Sequence, residues 1–147
     1  MELGPGEPAA GPWRVVSLEA FARAVTDAAG CPVSRPRIVA VDGRGGGGKT
    51  TLADRLLRVL PGAAVVHSDD VAWHHSRFGW DDLMIDGVLK PLHAGRGVHY
   101  QPPAWPVRGR DGHIDIAADA QTVLLEGVGV GTASTLPHDA RNEVMVA

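Results

Sequence analysis

The feature of this sequence that most restricts its fold is a cluster of glycines between a β-type segment and a helix-forming segment. Residues 38–41 are apolar and mostly β-branched, residues 43–48 contain five glycines, and a helical pattern begins at Lys49. Glycine tolerates backbone dihedrals that allow consecutive N–H groups to converge on one point without obstruction by a Cβ atom. We therefore expect a strand, a tight loop and a helix in direct succession.

The loop matches the phosphate-binding pattern G-x-x-x-x-G-K-S/T at Gly43, Gly48, Lys49 and Thr50. We expect its backbone amides and the positive end of the following helix dipole to bind phosphate oxygens. Lys49 would contact the β- and γ-phosphates, and the Thr50 hydroxyl would bind Mg²⁺. The predicted nucleotide-binding residues are Gly43, Gly45, Gly46, Gly47, Gly48, Lys49, Thr50 and Thr51.

The alternative is that a flexible glycine linker matches this pattern by accident. The lysine content argues against it, because Lys49 and Lys90 are the only lysines beside twelve arginines. One of these two lysines occupies the position that the pattern requires. The sequence therefore predicts nucleotide phosphate binding.

The composition is that of one ordinary globular domain. The chain has 147 residues, of which 44% are hydrophobic and 21% charged, with a formal net charge of −3. This charge offers no broad cationic surface, so nucleic acid is not an expected partner, and no apolar run approaches the ~20 residues of a membrane span. A single cysteine, Cys31, agrees with a cytoplasmic protein. The oligomeric state is left open.

The hydrophobic pattern predicts alternating helices and strands. Residues 1–12 are expected to be a flexible leader, and residues 13–147 a nucleotide-binding domain that is incomplete at its C-terminus. Predicted helices cover 18–29, with Ser17 as N-cap, then the segment from Lys49 to about Leu60, and 81–94. Predicted strands cover 38–41, 63–67, 122–125 and 144–147, and residues 95–113 are expected to form an ordered loop.

This order indicates an α/β fold, a P-loop NTPase three-layer sandwich with a parallel sheet. Ligands of such sheets bind at the carboxyl ends of the strands. The first three strands deliver the glycine loop, Asp69 with Asp70, and Glu126 to that edge. We therefore expect these acidic residues to lie near the phosphate site.

Each acidic residue has a candidate role. Glu126 is expected to hold a metal-bound water, the alternative being a strand-end carboxylate that faces solvent. Asp69 and Asp70 offer either a general base for an acceptor hydroxyl or a metal ligand, and one of the two is expected to be structural. Nearby histidines lack zinc-binding spacing. The aromatic residues between the second and third strands could stack on a base or simply pack in the core, namely Trp73, Trp80, Tyr100 and Trp105.

Three segments of the chain resemble uridine kinase-like P-loop kinases, relatives of phosphoribulokinase. They are Val-Asp-Gly-Arg-Gly-Gly-Gly-Gly-Lys-Thr-Thr, His-Ser-Asp-Asp-Val-Ala-Trp and Val-Leu-Leu-Glu-Gly-Val-Gly, within residues 36–131. The resemblance implies use of ATP and Mg²⁺ and places Asp69 beside the acceptor hydroxyl. Pro103, Ala104 and Trp105 stand where uridine kinases carry Tyr-Asp-Phe, which leaves Trp105, Arg108 and Arg110 as candidates for a different acceptor pocket.

The leading hypothesis is ATP-dependent phosphoryl transfer to a hydroxyl of a small molecule, a nucleoside or a similar compound. Lys49 and Asp69 are the predicted catalytic residues, and Thr50 and Glu126 the predicted metal ligands. The family also has further strands and an arginine-bearing lid, so the resemblance implies that this chain lacks its last strands. A nucleotide hydrolase or switch, and an ATP-binding module without turnover, are the alternatives.

Overall fold

The computed structural model describes residues 14–75 and 79–131 and the backbone of 143–146. The expected leader at 1–12 lies outside these residues. The helices are α1 Leu18–Ala29, α2 Lys49–Val59, α3 Ser68–Val71, α4 Trp80–Met84, α5 Lys90–His93 and α6 Ala104–Val107, with a π-helical turn Ile85–Leu89 between α4 and α5. The strands are β1 Arg37–Asp42, β2 Ala63–His67, β3 Val98–Tyr100, β4 Ile114–Ile116, β5 Thr122–Gly127 and β6 Glu143–Val146.

A parallel sheet with strand order β2-β5-β1-β6 forms the centre of the fold. Strand β1 pairs with β5 from Arg37 opposite Thr122 to Asp42 opposite Gly127. Strand β2 pairs with the other side of β5, where His67 lies opposite Glu126. The carboxyl ends of β1, β2 and β5 therefore lie at one edge, as the sequence predicts. The mixed α/β class and the parallel sheet are confirmed.

Both faces of this sheet are covered, which explains why its strands lack polar alternation. Along β1, Ile38 and Ala40 contribute to a core on one face, together with the helical segment from 80 to 93. Val39 and Val41 contribute to a core on the other face, beneath α1 and α2. Successive residues of a strand point to opposite faces, so one short apolar run serves both cores.

Helix α1 begins and ends where the sequence predicts. The Ser17 hydroxyl accepts a hydrogen bond from the Ala20 amide at 3.1 Å. Gly30 follows the last turn with a φ of 70°, a conformation that glycine adopts without a Cβ penalty. A side-chain cap at one end and a glycine at the other thus fix the helix bounds.

The segment between β2 and β5 differs from the sequence prediction. The helix predicted over 81–94 is present as one uninterrupted helical segment, but a π-helical turn separates α4 from α5 within it. The predicted loop at 95–113 contains β3 and α6, and β3 pairs with β4 as an antiparallel hairpin. Both strands of this hairpin have three residues, too few for a two-residue period to stand out in the sequence.

Among the described residues, no helix has the length and apolar character to cross a membrane.

Candidate nucleotide and acceptor site

The glycine loop joins the end of β1 to the first residue of α2. Gly43, Gly46 and Gly48 have φ values of 148°, 76° and 79°, which side-chain-bearing residues rarely adopt. The Gly47 amide donates a hydrogen bond to the Arg44 carbonyl at 3.1 Å, which closes the turn. The loop is therefore compact, and the segment behind it is helical.

Lys49 folds back over the loop that precedes it. Its Nζ atom donates a hydrogen bond to the Arg44 carbonyl at 2.8 Å, and a Cβ atom placed on Gly43 would lie 3.7 Å from the Lys49 Cδ. A cavity of about 230 Å³ lies here, with Asp42, Gly47 and Leu52 also in its lining. The ammonium group therefore lies at a cavity rimmed by loop backbone, where a phosphate would need a cation.

Asp42 is a site residue that the sequence analysis missed. Its Oδ1 atom accepts hydrogen bonds from the amides of Gly43, at 2.6 Å, and Gly129, at 2.8 Å. Its Oδ2 atom accepts one from the Gly131 amide at 3.0 Å. One carboxylate thus ties the start of the glycine loop to the turn after β5. The alternating glycines after Glu126, at 127, 129 and 131, were the signal in the sequence.

Glu126 is buried, with a relative exposure of 7%, and its Oε2 atom lies 2.8 Å from His67 Nδ1. It pairs in register with Val41, just before the glycine loop. Leu124, two residues earlier, belongs to the core beneath α2, so strand alternation places Glu126 on the face that α2 covers. The alternative of a solvent-facing carboxylate is inconsistent with this burial.

Asp69 and Asp70 have different surroundings at the end of β2. Asp69 is exposed. Asp70 Oδ1 lies 2.6 Å from Arg110 Nη2, and the Asp70 carbonyl accepts a hydrogen bond from Trp105 Nε1 at 2.9 Å. Asp70 is thus the member of the pair that holds structure together, through residues of the segment between β3 and β4.

Arg110 lies over two indole rings. Its guanidinium carbon is 3.7 Å from the centre of the Trp105 ring and 5.2 Å from that of Trp73. Trp105 is buried, with a relative exposure of 4%. Trp80 and Tyr100 are partly buried and pack against the core. From the sequence, base stacking and core packing are alternatives for these aromatic residues. In the structure, Trp105, Trp80 and Tyr100 pack in the core. Arg108 is exposed.

Two side chains of the site, Thr50 and Glu126, carry oxygen atoms that could hold a metal ion. Mg²⁺ prefers oxygen ligands and is usually held by one or two protein groups together with phosphate oxygens and waters. The Thr50 hydroxyl and the Glu126 carboxylate are donors of this kind. Across 14–75 and 79–131, no three histidine, cysteine or acidic side chains assemble into a metal-ligand cluster.

No protein-family model matches the sequence, and no curated protein matches it. Solved structures do match the fold. One is a candidate fructose transport system kinase from a Silicibacter species, at 16% identity and a TM-score of 0.65, covering 90% of this chain and 75% of that one. Another is a candidate uridine kinase from Bacillus stearothermophilus, at 18% identity and a TM-score of 0.55, covering 82% and 74%. The chain therefore shares the fold of uridine kinase-like P-loop kinases.

Proposed function

We propose that this chain transfers the γ-phosphoryl group of ATP to a hydroxyl of a small molecule, with Mg²⁺ as the metal. The observation that carries the proposal is the common location of three groups. The compact glycine loop with Lys49, the buried Glu126 and the exposed Asp69 lie at the carboxyl ends of strands that end at one edge of the sheet. Phosphoryl transfer needs a phosphate cradle, a metal site and an acceptor base at such an edge.

The nucleotide would bind across the loop and the start of α2. Amides from Gly43 to Thr51 and the positive end of the α2 dipole would contact its phosphates. Lys49 would exchange its bond to the Arg44 carbonyl for a phosphate oxygen. Thr50 and Glu126 would hold Mg²⁺, which neutralises charge on the transferring group. These residues bind and orient the phosphates, and that orientation supplies much of the rate acceleration.

Asp69 is proposed as the base that accepts the proton of the acceptor hydroxyl. Asp70 is paired with Arg110, whereas Asp69 forms no hydrogen bond or ion pair with another described residue. An unpaired carboxylate at the strand edge can receive a proton without first breaking an ion pair. Asp70, Trp105 and Arg110 would keep the Asp69 backbone in place.

Two observations support a proposal for the acceptor class: the solved neighbours and the sequence difference at 103–105. The two solved neighbours are a candidate fructose transport system kinase and a candidate uridine kinase, whose names refer to a sugar and a nucleoside. In this chain Trp105 is buried against Asp70, so it does not offer its ring to a nucleoside base. We therefore place sugars and sugar alcohols before nucleosides in the panel of acceptors.

The test is transfer of labelled γ-phosphate from ATP to that panel, with Lys49→Ala as the inactive variant. Lys90→Ala is its matched control, because Lys90 is the only other lysine and pairs with Asp86 on an exposed helix surface. We expect Lys49→Ala to lose nucleotide binding and transfer, and Lys90→Ala to retain both. ATP turnover without any acceptor would indicate the hydrolase alternative. Binding without turnover would indicate a nucleotide-binding module.

A second experiment separates the two aspartates. Asp69→Asn should lower kcat by roughly 10²–10⁴-fold, as expected for loss of a general base, and leave the Kd for MgATP unchanged. Asp70→Asn should instead raise KM and lower stability, because it releases Arg110. If Asp69→Asn leaves kcat intact, the assignment of the base is wrong.

A further inference from the structure

A second cavity lies at the opposite edge of the sheet from the glycine loop. It has a volume of about 230 Å³ and is formed by two chain segments, one leading into β1 and one leading into β5. These strands are parallel, so their amino ends meet here and their carboxyl ends meet at the glycine loop. The six residues of β1 separate the two cavities by about 20 Å. We call this cavity the arginine pocket.

The lining of the arginine pocket is positively charged. Arg35 and Arg37 both line it, and no aspartate or glutamate does. Neither guanidinium forms an ion pair with a carboxylate of the described residues. Asp119 is the nearest acidic residue in sequence, between two lining alanines, but it is exposed and does not line the cavity. The pocket thus carries two charges that no neighbouring side chain neutralises.

Neutral groups fix the Arg37 side chain at the wall of the pocket. Its Nε atom donates a hydrogen bond to the Gly30 carbonyl, and its Nη2 atom lies 2.9 Å from Cys31 Sγ. The backbone of Arg37 is held as well, since its amide donates to the Gln121 carbonyl at 2.9 Å. These contacts hold the Arg37 guanidinium in one orientation. Because its partners are neutral, they do not compensate its positive charge.

Arg35 supplies the observation that points to a ligand. Its Nη1 atom is buried and has no hydrogen-bond partner. A buried donor without a partner loses its hydration and gains nothing in return, a cost that is larger for a charged group. Native proteins satisfy nearly all such groups. An anion in the cavity that Arg35 lines would offset part of this cost through its opposite charge.

We propose that the arginine pocket binds a small oxyanion, that is, a phosphate or carboxylate group. The guanidinium groups of Arg35 and Arg37, which both line the cavity, supply the two positive charges that attract the anion. Ser34 and Gln121, which also line the cavity, offer neutral hydrogen-bonding groups beside them. This site is separate from the glycine loop and does not depend on the proposed function.

The test uses the full chain with Lys49→Ala, so that the ammonium group at the glycine loop does not contribute to anion binding. Inorganic phosphate and acetate are titrated separately at constant ionic strength, and backbone amide shifts are followed by NMR. We expect saturable shifts that concentrate at residues 31–37 and 118–121. Saturation by phosphate alone identifies a phosphate site, by acetate alone a carboxylate site, and by both a general oxyanion site. The absence of localised shifts with either anion overturns the proposal.

Two variants in the Lys49→Ala chain test the roles of the arginines. Arg35→Gln should weaken anion binding about tenfold or more, and Arg37→Gln should also weaken it, since each removes a charged donor. Arg58→Gln is the matched control, because Arg58 is exposed at the last turn of α2. An unchanged titration in Arg35→Gln would refute the assignment. If Arg35→Gln does not fold, the titration of the Lys49→Ala chain tests the proposal by itself. Shifts at residues 31–37 and 118–121 would support the proposal, and their absence would refute it.

Discussion

At the scale of single residues, Asp42 has more contacts within the site than its place in the sequence indicates. The phosphate-binding pattern begins one residue later, so the pattern gives Asp42 no role. Its three hydrogen bonds go to backbone amides of Gly43, Gly129 and Gly131. Two of these amides are more than eighty residues away in sequence. A local motif cannot report such contacts.

The substitution Asp42→Asn tests this role. The single carbonyl oxygen of an uncharged side-chain amide cannot reproduce three charge-assisted bonds, so we expect a loss of about 1–3 kcal/mol in the free energy of unfolding. Nucleotide binding should weaken as well. Denaturant unfolding and calorimetric titration with MgATP are the measurements. Asp54→Asn, at an exposed position of α2, should change neither quantity.

The close packing around Gly127 leads to a second prediction for a single residue. A Cβ atom placed there would lie 1.7 Å from the Ser68 hydroxyl oxygen, and its φ of 156° disfavours side chains. Gly127→Ala should therefore lower the free energy of unfolding by about 2 kcal/mol or more, measured by denaturant titration. Gly45→Ala is the control, because a Cβ atom at Gly45 meets nothing within 4 Å. Equal effects of the two substitutions would contradict the steric argument.

At the scale of elements, the sequence predicts best where an element has a clear period and a clear end. The bounds of α1 and β2 agree with the prediction, since a cap, a proline or a glycine marks them. The hairpin of β3 and β4 was missed because each strand is short and its partner lies beyond α6. The π-helical turn was also missed. It contains Gly87, where a Cβ atom would lie 2.4 Å from the Tyr100 ring.

Tyr100 provides a test of how the hairpin packs on this turn. Burial of its ring, and to a lesser extent the charge of Asp86, raises the pKa of Tyr100 above its ordinary value of 10.0. It is the only tyrosine, so the ultraviolet absorbance of tyrosinate reports it alone. We expect a midpoint above 10.0 in the folded chain and near 10.0 in denaturant.

The pKa shift of Tyr100 also affects stability at alkaline pH. The folded state holds the phenol proton more tightly than the unfolded state does. The stabilisation is therefore complete below the unfolded pKa and is lost as pH rises through the folded pKa. Replacement by phenylalanine should remove this part of the decline in stability above pH 10.0. Identical midpoints in the folded and unfolded chains would show that the ring is not packed as described.

At the scale of the whole molecule, fold class and strand-edge geometry were predictable from the sequence, and the acceptor side was not. Parallel strands joined by right-handed crossovers allow few sheet topologies for this order of helices and strands. The location of the glycine loop and Glu126 at the same edge of the sheet follows from this restriction. The contact of Asp70 with Trp105 and Arg110 depends on how the segment after α5 folds back. No local pattern encodes that path.

Ligand binding should stabilise the whole domain through the glycine loop. A ligand that binds only the folded chain adds about 2.7 kcal/mol at a concentration of 100 times its Kd. We therefore expect MgATP to raise Tm by several degrees in the wild-type chain and not in Lys49→Ala. Differential scanning fluorimetry at fixed Mg²⁺ measures this shift. An equal shift in both chains would place the nucleotide elsewhere.

The hydrogen bonds of Asp42 have a consequence for the cost of nucleotide capture. The turn after β5 and the first residue of the glycine loop are already joined by a carboxylate in the chain itself. The loop therefore loses much of its backbone conformational entropy during folding. A flexible loop would lose that entropy when it binds its ligand. Little of the binding energy is then spent on ordering, and more of it remains available to align the phosphates for reaction.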